Sequence, residues 1–241
     1  MLTKHEALAV VLQVRDAALQ VLLWQHDRGP AMGSWALPGG PLADRETLGQ
    51  SIARQLAEKV DVRHLAHLEQ LETRSDLERA PRERVLATAY LGIVPADERS
   101  VIPADAAWHQ VAALPAMAFD HASITVSGVR RLRAKLCYTN LGFALAPKVF
   151  TASELQAVYQ AALGHDVSTT NLKRILVRRQ QIIETGTLSP PGRAGGRPAA
   201  QYRFRAREID VTDQFAVLRP PVDRVPSPGD DEVSTTTARS D

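Results

Sequence analysis

Residues 35–62 read WALPGGPLADRETLGQSIARQLAEKVDV, and the second part of this stretch, from Gly40 on, decides the fold of the first half of the chain. Pro38-Gly39-Gly40 makes a turn. From about Glu46 to Lys59 the apolar residues Leu48, Ile52 and Leu56 recur at every fourth position, which lines one face of an amphipathic helix. The unit is loop, helix, loop.

Upstream, apolar residues from Ala7 to Trp24 alternate in two runs, ALAVVLQV and LQVLLW, separated by residues 15–18. That pattern predicts a hairpin, followed by a loop from His26 to Ser34. Downstream, HLEQLETRS and RVLATAYLGIV predict two more strands around the polar DLERAPRER. DHASITVSGVRRLRAKL predicts a helix, with Asp120 as a possible cap at its start. Its cations Arg130, Arg131, Arg133 and Lys135 either bridge to the next domain, meet a second copy, or form a solvated face. Strands mixed with helices make this first domain, residues 1–146, α+β.

After Pro147 the pattern becomes helical. TASELQAVYQAALG has a capped start at Thr151 or Ser153 and a glycine stop at Gly164. A second helix is predicted from Ser168 to Gly186, then a Gly/Pro turn in SPPGRAGGRPAAQ and a strand carrying Tyr202 and Phe204. Helix, turn, helix and hairpin in that order make a winged helix-turn-helix domain over 147–207. Residues 208–241 are acidic and rich in Pro, Ser and Thr, so a disordered tail is expected there.

A net charge of +2 conceals a strong partition. Residues 1–149 carry 17 Lys and Arg against 16 Asp and Glu, residues 150–207 carry 9 against 3, and residues 208–241 carry 3 against 8. The positive middle segment suits a polyanionic partner. One cysteine, Cys137, excludes an intramolecular disulfide and any multi-cysteine metal site, and is expected as a small buried hydrophobe in a helix. No apolar run approaches the roughly 18 residues of a membrane span. The expectation is a cytoplasmic protein without signal peptide or membrane contact.

The stretch from Gly40 to Val62 resembles the Nudix box, in which Gly, five residues, Glu and seven residues precede Arg-Glu-aliphatic-x-Glu-Glu-x-Gly-aliphatic. Gly40, Glu46, Arg54, Leu56, Glu58 and Val62 fall in register. The resemblance covers most of residues 1–145 and implies an α/β/α sandwich. In Nudix hydrolases the box glutamates gather on one helical face and bind magnesium or manganese through oxygen ligands. Here Gln55 and Lys59 replace two of the three, and Asp61 replaces the late glycine. An ammonium repels a metal ion at short range, so neither a metal nor a catalytic residue is expected. The cleft itself can outlast the reaction. Candidate ligand contacts are Arg28, Trp35, Glu46, Arg54, Glu58, Lys59, Arg82, Arg84, Phe119 and His121. Lys59 either pairs with a ligand phosphate or is solvated, and Glu46, Arg54 and Glu58 either touch ligand or form a salt-bridge network.

In the second domain, Thr169, Thr170 and Asn171 are placed to face base edges. Lys173, Arg174, Arg178 and Arg179 of the same helix are placed to bind DNA phosphates, and the hairpin adds Arg193, Arg197 and Arg203, its glycines permitting a tight tip that can enter an adjacent groove. Taken together, residues 5–207 resemble the NrtR family of Nudix-related transcriptional regulators. The resemblance implies a homodimeric repressor of NAD biosynthesis and salvage genes on palindromic operator DNA, with ADP-ribose or a related NAD-derived nucleotide as effector and no required cofactor. The alternative is an active Nudix hydrolase of ADP-ribose or a related nucleoside diphosphate derivative.

Overall fold

The structure is a computed structural model, and it describes residues 3–26, 31–79, 84–99, 101–190 and 198–212. Strand β1 (Lys4–Arg15) is its axis. It pairs antiparallel with β2 (Ala18–Gln25) through a tight turn in which Asp16 and Ala17 both take left-handed φ, 48° and 58°. Two consecutive positive φ values give the turn whose twist matches that of the flanking strands. On its other side β1 runs parallel to β6 (Val85–Ile93), which pairs antiparallel with β5 (His67–Arg74). Short strands β3 (Trp35–Ala36) and β7 (Ala106–Gln110) pair with β2, and β4 (Gly39–Pro41) pairs with β1.

Because successive side chains of a strand point to opposite faces, β1 builds two cores. Ala7, Ala9 and Val11 join Leu22 and Trp24 and pack under helix α1 (Leu48–Val60) through Ile52, Leu56 and Val60. Leu8, Val10 and Leu12 join Val21 and Leu23 under helix α2 (His121–Tyr138) through Ile124, Leu132 and Leu136. Helix on either face of a mixed sheet is the expected sandwich. Helix α1 opens on Thr47, whose hydroxyl accepts from the Gln50 amide while the Gln50 side chain returns to the Thr47 N–H. It closes on Asp61 in the left-handed region, φ 49°. That conformation explains why the box pattern asks for glycine there, and Asp tolerates it better than most side chains.

Helix α3 (Gly142–Leu145) leads into the second domain, which continues through strand β8 (Phe150–Thr151), helix α4 (Ala152–Leu163), helix α5 (Thr169–Arg178), and strands β9 (Ile182–Leu188) and β10 (Ala200–Phe204). Its sheet runs β8-β10-β9. Thr151 caps α4 with a capping box and Gly164 ends it at φ 78°. Phe143, Phe150, Leu155, Tyr202 and Phe204 belong to the same hydrophobic cluster as the α2 face of the first domain. The two domains therefore share one core.

Three expectations need correction. The helix predicted from Ser168 to Gly186 stops at Arg178: Gln180 reverses the chain at φ 54°, and β-branched Ile182, Ile183, Thr185 and Thr187 go into β9 instead. Gly186, φ 79°, sits in that strand opposite the irregular register between Ala200 and Tyr202. Cys137 is exposed rather than buried, because Leu132 and Leu136 define the inner face of α2 and residue 137 lies one helical step round from it. Finally, the chain is not free from Glu208. Asn140 Nδ2 donates to the Glu208 carbonyl (2.8 Å), its Oδ1 accepts from the Asp210 amide (2.7 Å), and the Thr212 amide donates to the Tyr138 carbonyl (3.0 Å). Residues 213–241 of the expected tail lie outside the described residues.

The domain junction is tightest at Gly142, where an added Cβ would lie 2.2 Å from the Tyr159 hydroxyl and 2.9 Å from the Phe204 ring. That hydroxyl is buried with no hydrogen-bond partner among the described residues. Gly142→Ala is expected to lower stability by about 1–3 kcal/mol through overpacking, whereas Tyr159→Phe, which removes an unsatisfied hydroxyl, should cost nothing or stabilise. Urea unfolding of the two variants and of their combination checks this, with the double variant recovering part of the alanine penalty.

Candidate functional site

A cleft of about 800 Å³ opens between α1, the start of β1, and the segments before β7 and α2. Its floor is set by the Pro-Gly-Gly turn. A Cβ on Gly39 would stand 2.3 Å from the Ala7 carbonyl, so only glycine lets β4 lie this close to β1. The Gly39 carbonyl is met by two donors from the box helix. Lys59 Nζ donates to it. Gln55, buried, has its amide nitrogen 3.2 Å away when the group is turned so that its oxygen takes Arg54 Nη1 at 3.3 Å. The Lys59 ammonium also stands 3.8 Å from the centroid of the Trp24 ring, a cation–π contact.

One wall of the cleft is aromatic. Trp24 and His26 rings lie 4.7 Å apart, His26 and Phe119 5.9 Å, and Phe119 and His121 5.5 Å. Phe119 holds a left-handed φ of 52° and is 57% exposed, a strained backbone that keeps a phenyl face open to the cleft. His121 is buried, and its Nδ1 accepts from the Leu37 amide at 3.0 Å. Burial first, then the charges of Arg79, His26 and Lys59, push its pKa down to about 3. The ring is therefore neutral, with its proton on Nε2.

The box acids are not arranged for a metal. Arg54 clamps Glu46 through Nε (3.0 Å) and Nη2 (2.6 Å), and the Arg54 hydrogen bond, then the Ala43 amide, hold that carboxyl down at about 2. Glu58 lines the cleft, but its side chain is 60% exposed and 3.4 Å from Arg54. Where oxygen ligands would be needed beside Gly39, this chain presents N–H donors, so a divalent ion does not fit the residues present. Among the described residues no group of three His, Cys, Asp or Glu could hold a metal ion.

The other predicted contacts are dispersed. Trp35 packs its ring against His109, 4.4 Å between centroids, on the α2 side of the sheet and does not line the cleft. Strand alternation turns it away, because its neighbour Ala36 faces the α1 core. Arg84 donates to the Ser75 carbonyl (2.6 Å) and also stands outside the cleft. Arg28 and Arg82 lie outside the described residues.

On α5, Leu172 and Leu176 face the core, and Thr170, Asn171, Arg174, Val177 and Arg178 are exposed. Arg174 Nη2 donates to Asn171 Oδ1 at 2.7 Å, so the two form one polar surface. Thr169 is half-buried. Lys173 instead leans over the Tyr202 ring, 4.8 Å to the centroid, while the Tyr202 hydroxyl donates to Glu184 (2.9 Å). Tyr202, then Glu184, raise the Lys173 pKa. Arg179 donates to the Cys137 carbonyl (2.8 Å), tying α5 to the end of α2. Arg203 is exposed on β10. Arg193 and Arg197 lie outside the described residues.

A family model of the NUDIX domain matches residues 4–127, and one of the NrtR DNA-binding winged helix domain matches residues 142–204. A curated relative from Acinetobacter baylyi, the "ADPR responsive transcriptional repressor NtrR", is 32% identical over 211 residues, 83% of this chain and 81% of its own length. The chain belongs to the NrtR family. The crystal structure of Shewanella oneidensis NrtR complexed with a 27mer DNA superposes with a TM-score of 0.70 at 31% identity, covering 83% of this chain and 93% of that one. A MutT/nudix family protein from Enterococcus faecalis shares the fold, TM-score 0.65 at 22% identity over 85% and 87% of the two chains.

Within this NrtR-family chain, the residues that sequence reasoning missed are those brought to the cleft from a distance. Trp24 lies near the end of a strand read only as core, His26 opens the loop that follows it, and Glu6 lies near the start of β1. Arg79, its side chain only 3% exposed, bonds both Glu6 and Asp120. Asp120 does stand before α2, but its carboxylate is given to Arg79 rather than to a capping bond. No local pattern announces such a link.

His121 supplies a pH test. The unfolded chain takes up a proton near pH 6.5 and the folded one only near pH 3, so the unfolded state binds more protons between those values and stability falls as pH falls through that window. At pH 5 the loss is about 2 kcal/mol relative to neutral pH. Urea unfolding at pH 7.5 and pH 5 should show this dependence in the wild type and less of it in His121→Gln. Nitrogen NMR should find the ring neutral and Nε2-protonated at pH 5; protonation near pH 6.5 would contradict the assignment.

Proposed function

We propose that this chain is a transcriptional repressor of NAD biosynthesis and salvage genes. It grips palindromic operator DNA as a homodimer, and its Nudix cleft senses ADP-ribose or a related NAD-derived nucleotide without hydrolysing it. The observation that carries the reading is the outward face of α5, where Thr170, Asn171, Arg174 and Arg178 stand exposed in the position of a recognition helix. It is supported by the relatives: one is named an ADPR-responsive repressor and another was crystallised on DNA. Gln55 and Lys59, facing Gly39 with donors, support sensing in place of metal-assisted hydrolysis.

The DNA surface differs from a plain count of cations. Arg174, Arg178 and Arg203 present charge outward, whereas Lys173 packs on Tyr202 within the domain and Arg179 ties α5 to the end of α2 in the first domain. Base-edge contacts fall to Thr170 and Asn171, and phosphate contacts to the arginines. A dimer would set two such helices about one DNA turn apart or a multiple of it.

Fluorescence anisotropy of the full chain on duplexes from upstream of its NAD-synthesis genes, against random duplexes, tests the proposal. Operator binding is expected to exceed random binding and to change on adding ADP-ribose. Arg174→Ala and Arg178→Ala should each reduce the salt slope by about one, with a smaller change for Lys173→Ala. No preference for any upstream duplex, together with magnesium-dependent cleavage of ADP-ribose abolished by Glu58→Gln, would replace this reading with that of a hydrolase.

A further inference from the structure

We propose that Lys59 takes the place of a divalent cation in the cleft, so that a diphosphate-bearing nucleotide binds there without metal. The inference rests on the reading of the cleft as a nucleotide site and adds how its anion is neutralised.

Lys59 lies in the last turn of α1, and its ammonium is fixed from two sides, by the Gly39 carbonyl and by the face of Trp24 at 3.8 Å. A carbonyl dipole and an electron-rich ring face both favour a cation, and here that cation belongs to the chain. Gln55 extends the arrangement, with a neutral amide where a carboxylate would need a metal ion beside the same carbonyl. Of the three acids lining the cleft, Glu6 bonds Arg79 and Glu58 lies 3.4 Å from Arg54, which offsets part of the negative charge, Asp105 included, that would otherwise repel a phosphate. The ring series Trp24, His26, Phe119 and His121 starts at the ammonium and runs along the same cavity, which holds about 800 Å³. A base or ribose against the rings thus leaves its phosphates toward Lys59, which offers a single point charge with rotatable donors.

Three consequences separate this arrangement from a metal site. Affinity is indifferent to magnesium, removing the ammonium weakens binding, and restoring a carboxylate makes binding magnesium-dependent. Titration calorimetry of the full chain with ADP-ribose, once in EDTA and once in magnesium, reads all three. Wild-type affinity should agree within about twofold in the two buffers. Lys59→Gln should bind at least about tenfold more weakly in EDTA, the scale of one charge-assisted hydrogen bond. Lys59→Glu should bind weakly in EDTA and recover in magnesium. Thermal unfolding without ligand checks that each variant is folded, and the wild-type comparison by itself still decides whether binding needs magnesium. Wild-type binding that requires magnesium, or Lys59→Gln binding as tightly as wild type, would overturn the role of Lys59 and leave the cleft a nucleotide site. No wild-type binding in either buffer would remove the nucleotide reading itself.

Discussion

A strand buried on both faces has to satisfy two neighbours at once, and β1 does so by size. The side chains it sends toward α1 are Ala7, Ala9 and Val11, which let that helix come close; those it sends toward α2 are Leu8, Val10 and Leu12. The close approach brings Gln55 and Lys59 onto Gly39, and the larger residues feed the core that continues into the winged helix. A register slip of one residue would exchange the two sets and lose both. Parallel pairing with β6, from Lys4 beside Val85 to Leu12 beside Ile93, and the two-residue turn into β2 hold the register.

Features with a short sequence period were legible before the structure. The β1–β2 hairpin, α1, α2, α4 and the strands β5, β6 and β10 follow from alternation, four-residue spacing and caps such as Thr151 and Gly164. The end of α5 was not, because Leu172, Ile175, Leu176, Ile182 and Ile183 can be threaded on one helical stripe. The decision lies in the left-handed turn at Gln180 and in a strand partner, β10, that arrives about 20 residues later. The short strands β3, β4 and β7 escaped for the same reason: each has two to five residues and exists only because β1 or β2 is beside it.

For the cleft, the box register gave Lys59 and Glu58 and the segment before α2 gave Phe119 and His121, while Glu46 and Arg54 form the salt bridge of the other expectation outside the cleft lining. Trp35 was misplaced because an indole ahead of the turn carries no sign of which sheet face it takes. The basic run in α2 was read three ways. The structure assigns its members separately: Arg131 and Lys135 bond Glu69 on β5, and Arg133 Nε donates to the Ala162 carbonyl near the end of α4 at 3.1 Å. One residue of the four bridges the domains, and it does so where the carbonyls of a helix end, without intrahelical donors, favour a cation.

That bridge makes α2 the element common to both functions. Its first residue, His121, lines the cleft and holds the Leu37 amide; twelve residues on, Arg133 is seated on α4; and the Cys137 carbonyl receives Arg179 from the end of α5. A helix of 18 residues is about 27 Å long, so a small tilt about its middle moves both ends. A ligand alters DNA affinity only by binding one arrangement more tightly than another. Phe119 and His121, at the start of α2, are where such a difference would be felt, because a nucleotide stacked on Phe119 bears on a strained residue two positions before His121. The shared core limits how the movement can proceed. With Tyr159, Phe204 and Gly142 packed without space at the junction, hinging there would cost packing, and a displacement of α2 would carry the winged helix with it.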